Sequence, residues 1–180
     1  LQEALDSLYA QTYQDFEIIL CEDGSKDNTY ELALENQKKH NNIVLLRNPH
    51  NMGLNQTLNN CLTVAKGEYV ARMDGDDLCD PTRFEKQVKF LDEHLEYAIV
   101  SNPMFYFDEN GIFGRGRAKE GEASKEVFNI GTPFCHASCM VRKEAYDKVG
   151  GYTVDKRLLR VEDYELWVKM YAAGYKGYNL

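Results

Sequence analysis

Long apolar runs are missing from this chain of 180 residues: no stretch approaches the roughly 20 residues that a membrane-spanning helix needs. Positive charge is also scarce. Lys and Arg number 21 against 29 Asp and Glu, a formal charge of −8, which argues against non-specific nucleic-acid binding because that needs a basic face. Cysteine number and spacing exclude more. The five cysteines (Cys21, Cys61, Cys79, Cys135, Cys139) are odd in number and lack paired zinc spacing. The one cluster, Cys135-His136-x-x-Cys139, is read first as reduced, partly buried thiols of a cytosolic protein. Internal repeats, low-complexity tracts and linkers are absent. So is an initiating Met: the chain opens on Leu1 in a helical pattern and stops at "GYNL". The expectation is an internal piece of a longer protein, truncated at both ends. Its length and 43% hydrophobic content suit one globular domain with a real core.

What is there alternates. "LQEALDSLYAQ" has leucines at helical spacing. "EIILCE" (17–22) reads as a strand, "DNTYELALENQKKH" as a helix capped by Asp27 or Asn28, and "NIVLLR" as a strand. "GLNQTLNNCLTVAK" reads as a helix ended by Gly67, and "EYVARM" as a strand. "PTRFEKQVKFLDEHL" reads as a helix with Pro81 in its first turn. Helix and strand in turn imply parallel strands with crossover helices, an α/β sheet that binds ligands beyond the carboxyl ends of its strands. Glu22-Asp23 and Asp74 to Asp77 both fall at such ends. The second half departs from the pattern. It has a hairpin, "FYF" to "GIFGRGR" across "DENG", then a short helix in "EASKEVFNI" and a strand in "HASCMVR". Helices in "KEAYDKVGG" and "EDYELWVKMYAAG" follow.

The segment "DGDDLCD" puts Asp74, Asp76, Asp77 and Asp80 into seven positions. Asp80, before Pro81, suits a helix N-cap, but that leaves three acids unexplained. A calcium loop would place Asp74, Asp76, Asp80 and Glu85 as ligands. Leu78 then stands where an oxygen belongs, Cys79 where a glycine is needed, and Pro81 breaks the loop. The third reading is a hard divalent ion, Mg²⁺ or Mn²⁺, held by one or two carboxylates and completed by substrate phosphates.

"IILCEDGSKDNT", "NPHNMGLNQTLNNCLTVAKGEYVARMDGDD", "CHASCMVRKEAYDKVGGY" and "VEDYELWVKMYAAG" follow one another in this order. Together, over nearly the whole chain, they resemble the family 2 glycosyltransferases of the GT-A fold, above all the bacterial enzymes of surface-polysaccharide synthesis. The resemblance implies a single GT-A domain with a mostly parallel, Rossmann-like sheet, a nucleotide-binding half over about 1–80 and an acceptor-binding half over about 81–180. It implies that Asp23 contacts the nucleotide base, with Glu22, Gly24, Ser25, Asn51 and Gly53 around the nucleotide. Glu22 departs mildly from the Asp of many members. Asp74 and Asp76 are implied as the D-x-D pair, Asp76 on the metal, Asp74 toward the ribose or the metal's water shell, and Asp77 in support. Asp163 is implied as catalytic base with Glu162 beside it. Asn59 matches the pattern, whereas Leu58 stands where many members have Arg.

The activity implied is inverting transfer of a sugar from a nucleotide-diphosphate sugar, a UDP-sugar first, to a saccharide or lipid-linked hydroxyl. Mg²⁺ or Mn²⁺ is the implied cofactor, in the cytoplasm or at the inner face of the membrane, and a homo-oligomer is left open. The alternatives are a sugar-phosphate nucleotidyltransferase and a donor-binding fragment without catalysis. Leu166 and Trp167 read most simply as core. His136 reads equally as cleft-lining or half-buried, and Arg72, Arg115 and Arg117 as surface residues unless they meet phosphates. Family members begin with a further strand ending in "P-x-Y-N". A "VSVIIPVYN"-like segment is therefore expected before Leu1, and without it an open edge beside strand 17–22.

Overall fold

The computed structural model describes residues 1–116, 118–158 and 160–180; Arg117, one of the three arginines considered for phosphate contact, lies outside the described residues. Helix α1 (Gln2–Tyr9) leads to β1 (Ile18–Glu22), α2 (Thr29–Lys39), β2 (Ile43–Arg47), α3 (Leu54–Val64) and β3 (Tyr69–Ala71). Then come α4 (Arg83–Glu93), β4 (Ile99–Ser101), a hairpin of β5 (Phe105–Asp108) and β6 (Gly111–Arg115), and β7 (Gly121–Glu122). The last elements are β8 (Met140–Arg142), α5 (Lys143–Val149), α6 (Glu162–Ala172) and β9 (Gly177–Asn179). The expected helix at 122–130 is a 3-10 turn over Lys125–Asn129, and the expected strand at 136–142 starts as a 3-10 turn over His136–Ser138. Helix α4 begins at Arg83, after Pro81. Asp80 accepts from the Thr82 N–H and hydroxyl just ahead of it, at 2.9 and 2.7 Å.

The main sheet has the order β3-β8-β4-β9-β7. Strands β3, β4 and β9 run in one direction, while β8 and β7 run against them. The parallel pairing expected from helix–strand alternation is realised in β4–β9 and in β1–β2, whereas β3 and β4, though they run the same way, are not neighbours. The reversed β8 comes from the second half, where alternation breaks down, and inserts between β3 and β4. Strand alternation sorts the core. Ile99 and Val141 face α5 and α6, in a cluster with Tyr146, Leu166, Trp167 and Met170. Val100 and Met140 face α4, with Phe84 and Leu91. Trp167, Leu166 and Met170 are fully buried, each contributing about 1.5–3 kcal/mol of transfer free energy.

Strands β1 and β2 pair in parallel and stand apart from the main sheet. Lys66 N–H donates to the Glu17 carboxylate at 2.7 Å, tying the start of β1 to the approach of β3. Between the free edges of β1 and β3 runs a cavity of about 990 Å³ lined mainly by apolar side chains, among them Leu20, Leu58, Val70 and Met140. Leu1 lies at its wall, as do Glu22 and Asp74. The open edge expected beside strand 17–22 is thus present. Among the described residues no helix is long and apolar enough to cross a membrane.

Candidate active site

The first corner of the site forms where β1 ends. Asp23 Oδ1 accepts from Asn48 Nδ2 at 2.8 Å and from the Met52 N–H at 2.7 Å, and its Oδ2 accepts from the Gly53 N–H at 3.0 Å. Asn48 in turn donates to Thr57 Oγ1 at 2.9 Å and accepts from Asn60 at 2.8 Å, so β1, the 48–53 loop and α3 are locked together. Partial burial pushes the Asp23 carboxyl up. The bonds from Met52, Asn48 and Gly53 more than offset that and hold it below the usual aspartate range. Gly24 has φ +83°, and a Cβ there would lie 2.9 Å from Asn51 N, so glycine is required for this close approach. The structure therefore brings Asp23, Gly24, Asn51 and Gly53 together, with Ser25 exposed beside them. Glu22 braces the same corner from below. It is 5% exposed, pairs with Arg47 Nε at 3.1 Å and accepts from the Ser25 N–H.

The acidic turn after β3 forms the second corner. Arg72 donates to Asp74 Oδ1 at 2.5 Å. Far from the surface position expected of it, Arg72 is 9% exposed, and its Nε has no partner among the described residues. Its position two residues before Asp74, on the same side of an extended chain, was the signal for this pairing. Asp76 is exposed. Burial pushes the Asp77 carboxyl up, and the charges of Asp74 and Asp76 add to the push. Beneath the turn the buried Arg83 donates to the carbonyls of Arg72 at 2.8 Å and Cys139 at 3.2 Å, joining β3, β8 and α4.

Asp163, one residue into α6, supplies the third corner. Burial raises its carboxyl above the usual range and Glu162 adds to this, against hydrogen bonds from the Tyr164 N–H and the Thr132 hydroxyl. Segment 135–138 feels the charge of this corner and of the second. The Cys135 thiol, raised mainly by burial, is raised further by the charges of both Asp77 and Asp163. His136 is half-buried in this segment. Its Nε2 lies 2.8 Å from the Tyr152 hydroxyl, and its ring meets Trp167 edge-on at 5.9 Å. Burial, reinforced by Arg72, lowers its pKa to about 4, so it is neutral at physiological pH. Cys139 is fully buried and donates to the Cys135 carbonyl at 3.2 Å, as a structural thiol does. Asn59 bonds the Tyr152 backbone in both directions at 2.8 Å, so it ties α3 to the 152 segment. Leu58 packs against the main core. Arg115 is exposed.

Comparison with known proteins bears on this arrangement. The chain is 41% identical to the putative glycosyltransferase EpsE of Bacillus subtilis, covering 100% of the chain and 65% of that protein. It is 28% identical to an Escherichia coli protein, UDP-Glc:alpha-D-GlcNAc-diphosphoundecaprenol beta-1,3-glucosyltransferase WfaP, covering 97% of the chain and 66% of that protein. The chain thus spans about two thirds of the length of these relatives. Among solved structures, S. aureus TarS 1–349 in complex with UDP superposes with a TM-score of 0.78 at 20% identity, over 99% of this chain and 53% of that one. Mannosyltransferase PcManGT from Pyrobaculum calidifontis, in complex with GDP-Man and Mn²⁺, gives 0.75 at 21% identity, over 99% and 50%. These superpositions establish the GT-A fold. The profile described as "Glycosyl transferase family 2" matches residues 1–150, which carry the Asp23 corner and the acidic turn, and on that match the chain belongs to family 2 of the glycosyltransferases.

Proposed function

We propose that the protein of which this chain is part transfers a sugar, with inversion, from a nucleotide-diphosphate sugar to a hydroxyl of a saccharide or lipid-linked acceptor. A UDP-sugar is the favoured donor. Support comes from the relative whose name specifies UDP-Glc and a diphosphoundecaprenol acceptor, and from the fold neighbour in complex with UDP. The observation that carries the reading is that the Asp23 knot at the carboxyl end of β1 and the acidic turn after β3 flank one cavity, whose wall Glu22 and Asp74 share.

Asp163 takes the proton of the acceptor hydroxyl as its oxygen bonds to the anomeric carbon, while the bond from that carbon to the diphosphate breaks and its electron pair leaves with the nucleotide. Glu162 helps to keep Asp163 basic by repulsion. Asp23, Gly24, Ser25, Asn51 and Gly53 form the nucleotide side. Asp23 acts there first by fixing the 48–53 loop, and from the end of β1 it would meet the nucleotide base. Glu22 serves as an internal brace. Asp74, steadied by Arg72, faces the ribose or the ion's water shell.

The acidic turn fits a divalent cation, because Arg72 offsets charge at Asp74 while Asp76 and Asp77 carry a surplus. Among the described residues no group of three or more His, Cys, Asp or Glu forms a self-sufficient metal site. Asp76 and Asp74 would therefore hold Mg²⁺ or Mn²⁺ together with donor phosphate oxygens. When bound, the ion would offset charge on the departing diphosphate. The reading places the protein in the cytoplasm, in reach of the inner membrane face.

A thermal-shift assay tests the site. Nucleoside diphosphate should raise the melting temperature more with Mn²⁺ than with EDTA, and Asp76→Ala should abolish the difference. Equal stabilisation with and without metal would sink the reading. For the chemistry, Asp163→Asn should lower transfer by roughly 10²-fold or more while donor affinity is kept.

A further inference from the structure

The acidic turn carries a counter-ion of its own. Asp74, Asp76 and Asp77 crowd it, and the Asp77 carboxyl feels the charge of both others as well as that of the Arg72 and Arg83 guanidiniums. Arg83 is committed elsewhere. It donates to the carbonyls of Arg72 and Cys139 and, at 3.1 Å, to Gln87 Oε1. Among the described residues only Arg72 pairs with a carboxylate of the turn, through one N–H on Asp74 Oδ1. That pair has a buried end and an open end: the Arg72 side chain is 9% exposed and the Asp74 side chain 47%.

Arg72 is under-used where it sits. A guanidinium has several N–H donors. Among the described residues the Asp74 contact is its single side-chain bond, and its Nε is buried without a partner. The groups around it supply no second anion. His136 is neutral, its pKa lowered to about 4 first by burial and then by Arg72. The Tyr146 and Tyr152 hydroxyls stay protonated, their pKa values raised chiefly by burial. Arg72, Asp74 and both tyrosines line the same cavity, so the guanidinium borders space that a ligand can enter. A buried donor without an acceptor is costly, and phosphate oxygens match the forked N–H groups of arginine.

We propose that Arg72 is the exchangeable counter-ion of the acidic turn: it holds Asp74 until a divalent ion and the donor's diphosphate arrive together, then passes from Asp74 to a phosphate oxygen. The inference rests on the donor-binding reading above. Charge balances at each end of the exchange. An ion alone has to displace the guanidinium from Asp74 Oδ1 and leave it buried without an anion, as in the breaking of a buried charge pair. A diphosphate alone meets the clustered carboxylates and a guanidinium whose charge Asp74 already offsets. When both arrive, the ion takes the carboxylate and the phosphate takes the guanidinium, so neither charge is left unpaired. Arg72 thus couples the two ligands, and reciprocity requires each to tighten the other by the same factor.

The test measures Mn²⁺ binding to the full chain by loss of the free-ion electron paramagnetic resonance signal, with and without uridine diphosphate. Calorimetry measures uridine diphosphate binding with Mn²⁺ and with EDTA. In the wild type each ligand should tighten the other roughly tenfold or more, within the scale of about 5- to 150-fold for coupled sites. Arg72→Gln should move the two in opposite directions. Mn²⁺ alone should bind roughly tenfold more tightly, and uridine diphosphate with Mn²⁺ more weakly by about the same factor. A merely structural role would weaken both. Asp74→Asn, at a half-exposed position, releases Arg72 from the other side and should bind uridine diphosphate in EDTA roughly tenfold more tightly; this arm decides the matter if Arg72→Gln does not melt cooperatively, and unchanged or weaker binding there overturns the proposal. Equal binding of Mn²⁺ alone to wild type and Arg72→Gln, or undiminished coupling in that variant, also overturns it and leaves the transfer reading standing. A wild type that binds no uridine diphosphate fells the transfer reading instead. The arm with Mn²⁺ alone then still decides whether Arg72 guards Asp74: tighter binding by the variant upholds this, and equal binding overturns it.

Discussion

Replacing Asp23 by Asn changes almost no volume and removes one charge, yet it should weaken the fold measurably. The carboxylate receives three donors, two on Oδ1 and one on Oδ2. Asparagine keeps one carbonyl oxygen and turns an N–H₂ group toward a backbone N–H that needs an acceptor. One charge-assisted bond is lost and the other two become neutral, against a scale of about 1.5–3 kcal/mol for a hydrogen bond to a charged group. Met52 is exposed, so water recovers part of the loss, and the net cost should be about 2 kcal/mol. With a urea slope of about 2 kcal/mol/M, the unfolding midpoint should fall by about 1 M. The sign of the pH dependence supplies the control. The folded pKa of Asp23 is depressed, so its contribution is present above the unfolded aspartate value and is lost as pH falls through the folded one. The gap between wild type and Asp23→Asn should be full at neutral pH and close in acid. A midpoint change under about 0.2 M at neutral pH, or a gap that persists undiminished in acid, would refute the assignment of Asp23 as the knot of the 48–53 loop.

Other changes probe the neighbouring corners. Gly24→Ala should cost about 1–3 kcal/mol in denaturant unfolding, because φ is +83° and the new Cβ meets Asn51 N at 2.9 Å. An unaltered midpoint would mean that the approach is looser than described. Asp163→Asn should raise the melting temperature at neutral pH. The raised folded pKa means that Asp163 favours the native state in acid and that this is lost as pH climbs through the folded value, a loss the amide escapes; an equal or lower melting temperature at neutral pH would contradict that burial effect. Arg83→Ala should lower stability by about 1–3 kcal/mol, since the Arg72 carbonyl loses its buried charged donor and the Cys139 carbonyl one of two. Calorimetry showing less than about 0.5 kcal/mol would show that water replaces the guanidinium.

Local signals were legible and long-range ones were not. Helices α1 to α6 announce themselves by spacing, and "CEDGS", "MDGDD" and "VEDYELW" by composition at element ends. The placement of β8 between β3 and β4 depends on residues some 70 positions apart in the chain, and three-residue strands such as β4 and β9 are too short for any period to show. Arg72 reads as a surface residue for a related reason: an isolated arginine looks solvated until its surroundings are known, and β8 and α4, which cover it, come from elsewhere in the chain, with Arg83 of α4 on its carbonyl. The ion pair of Glu22 with Arg47 on β2, one strand over, is likewise invisible in the local pattern around Asp23.

The split between β1–β2 and the main sheet gives the molecule two tiers of cohesion. Opening Ile18–Glu22 away from Ile43–Arg47 breaks one ladder and disturbs none of the pairs among β3, β8, β4, β9 and β7. Native-state hydrogen exchange should therefore proceed in two steps, with amides of β1 and β2 released by local opening and those of β4 and β8 only by global unfolding. The tier that opens first carries the Asp23 corner at its end. Whatever occupies the slot beside it, or binds across that corner, acts as a clamp on the least cohesive part of the chain, so binding should be felt as slowed exchange in β1 well before any change in the rest.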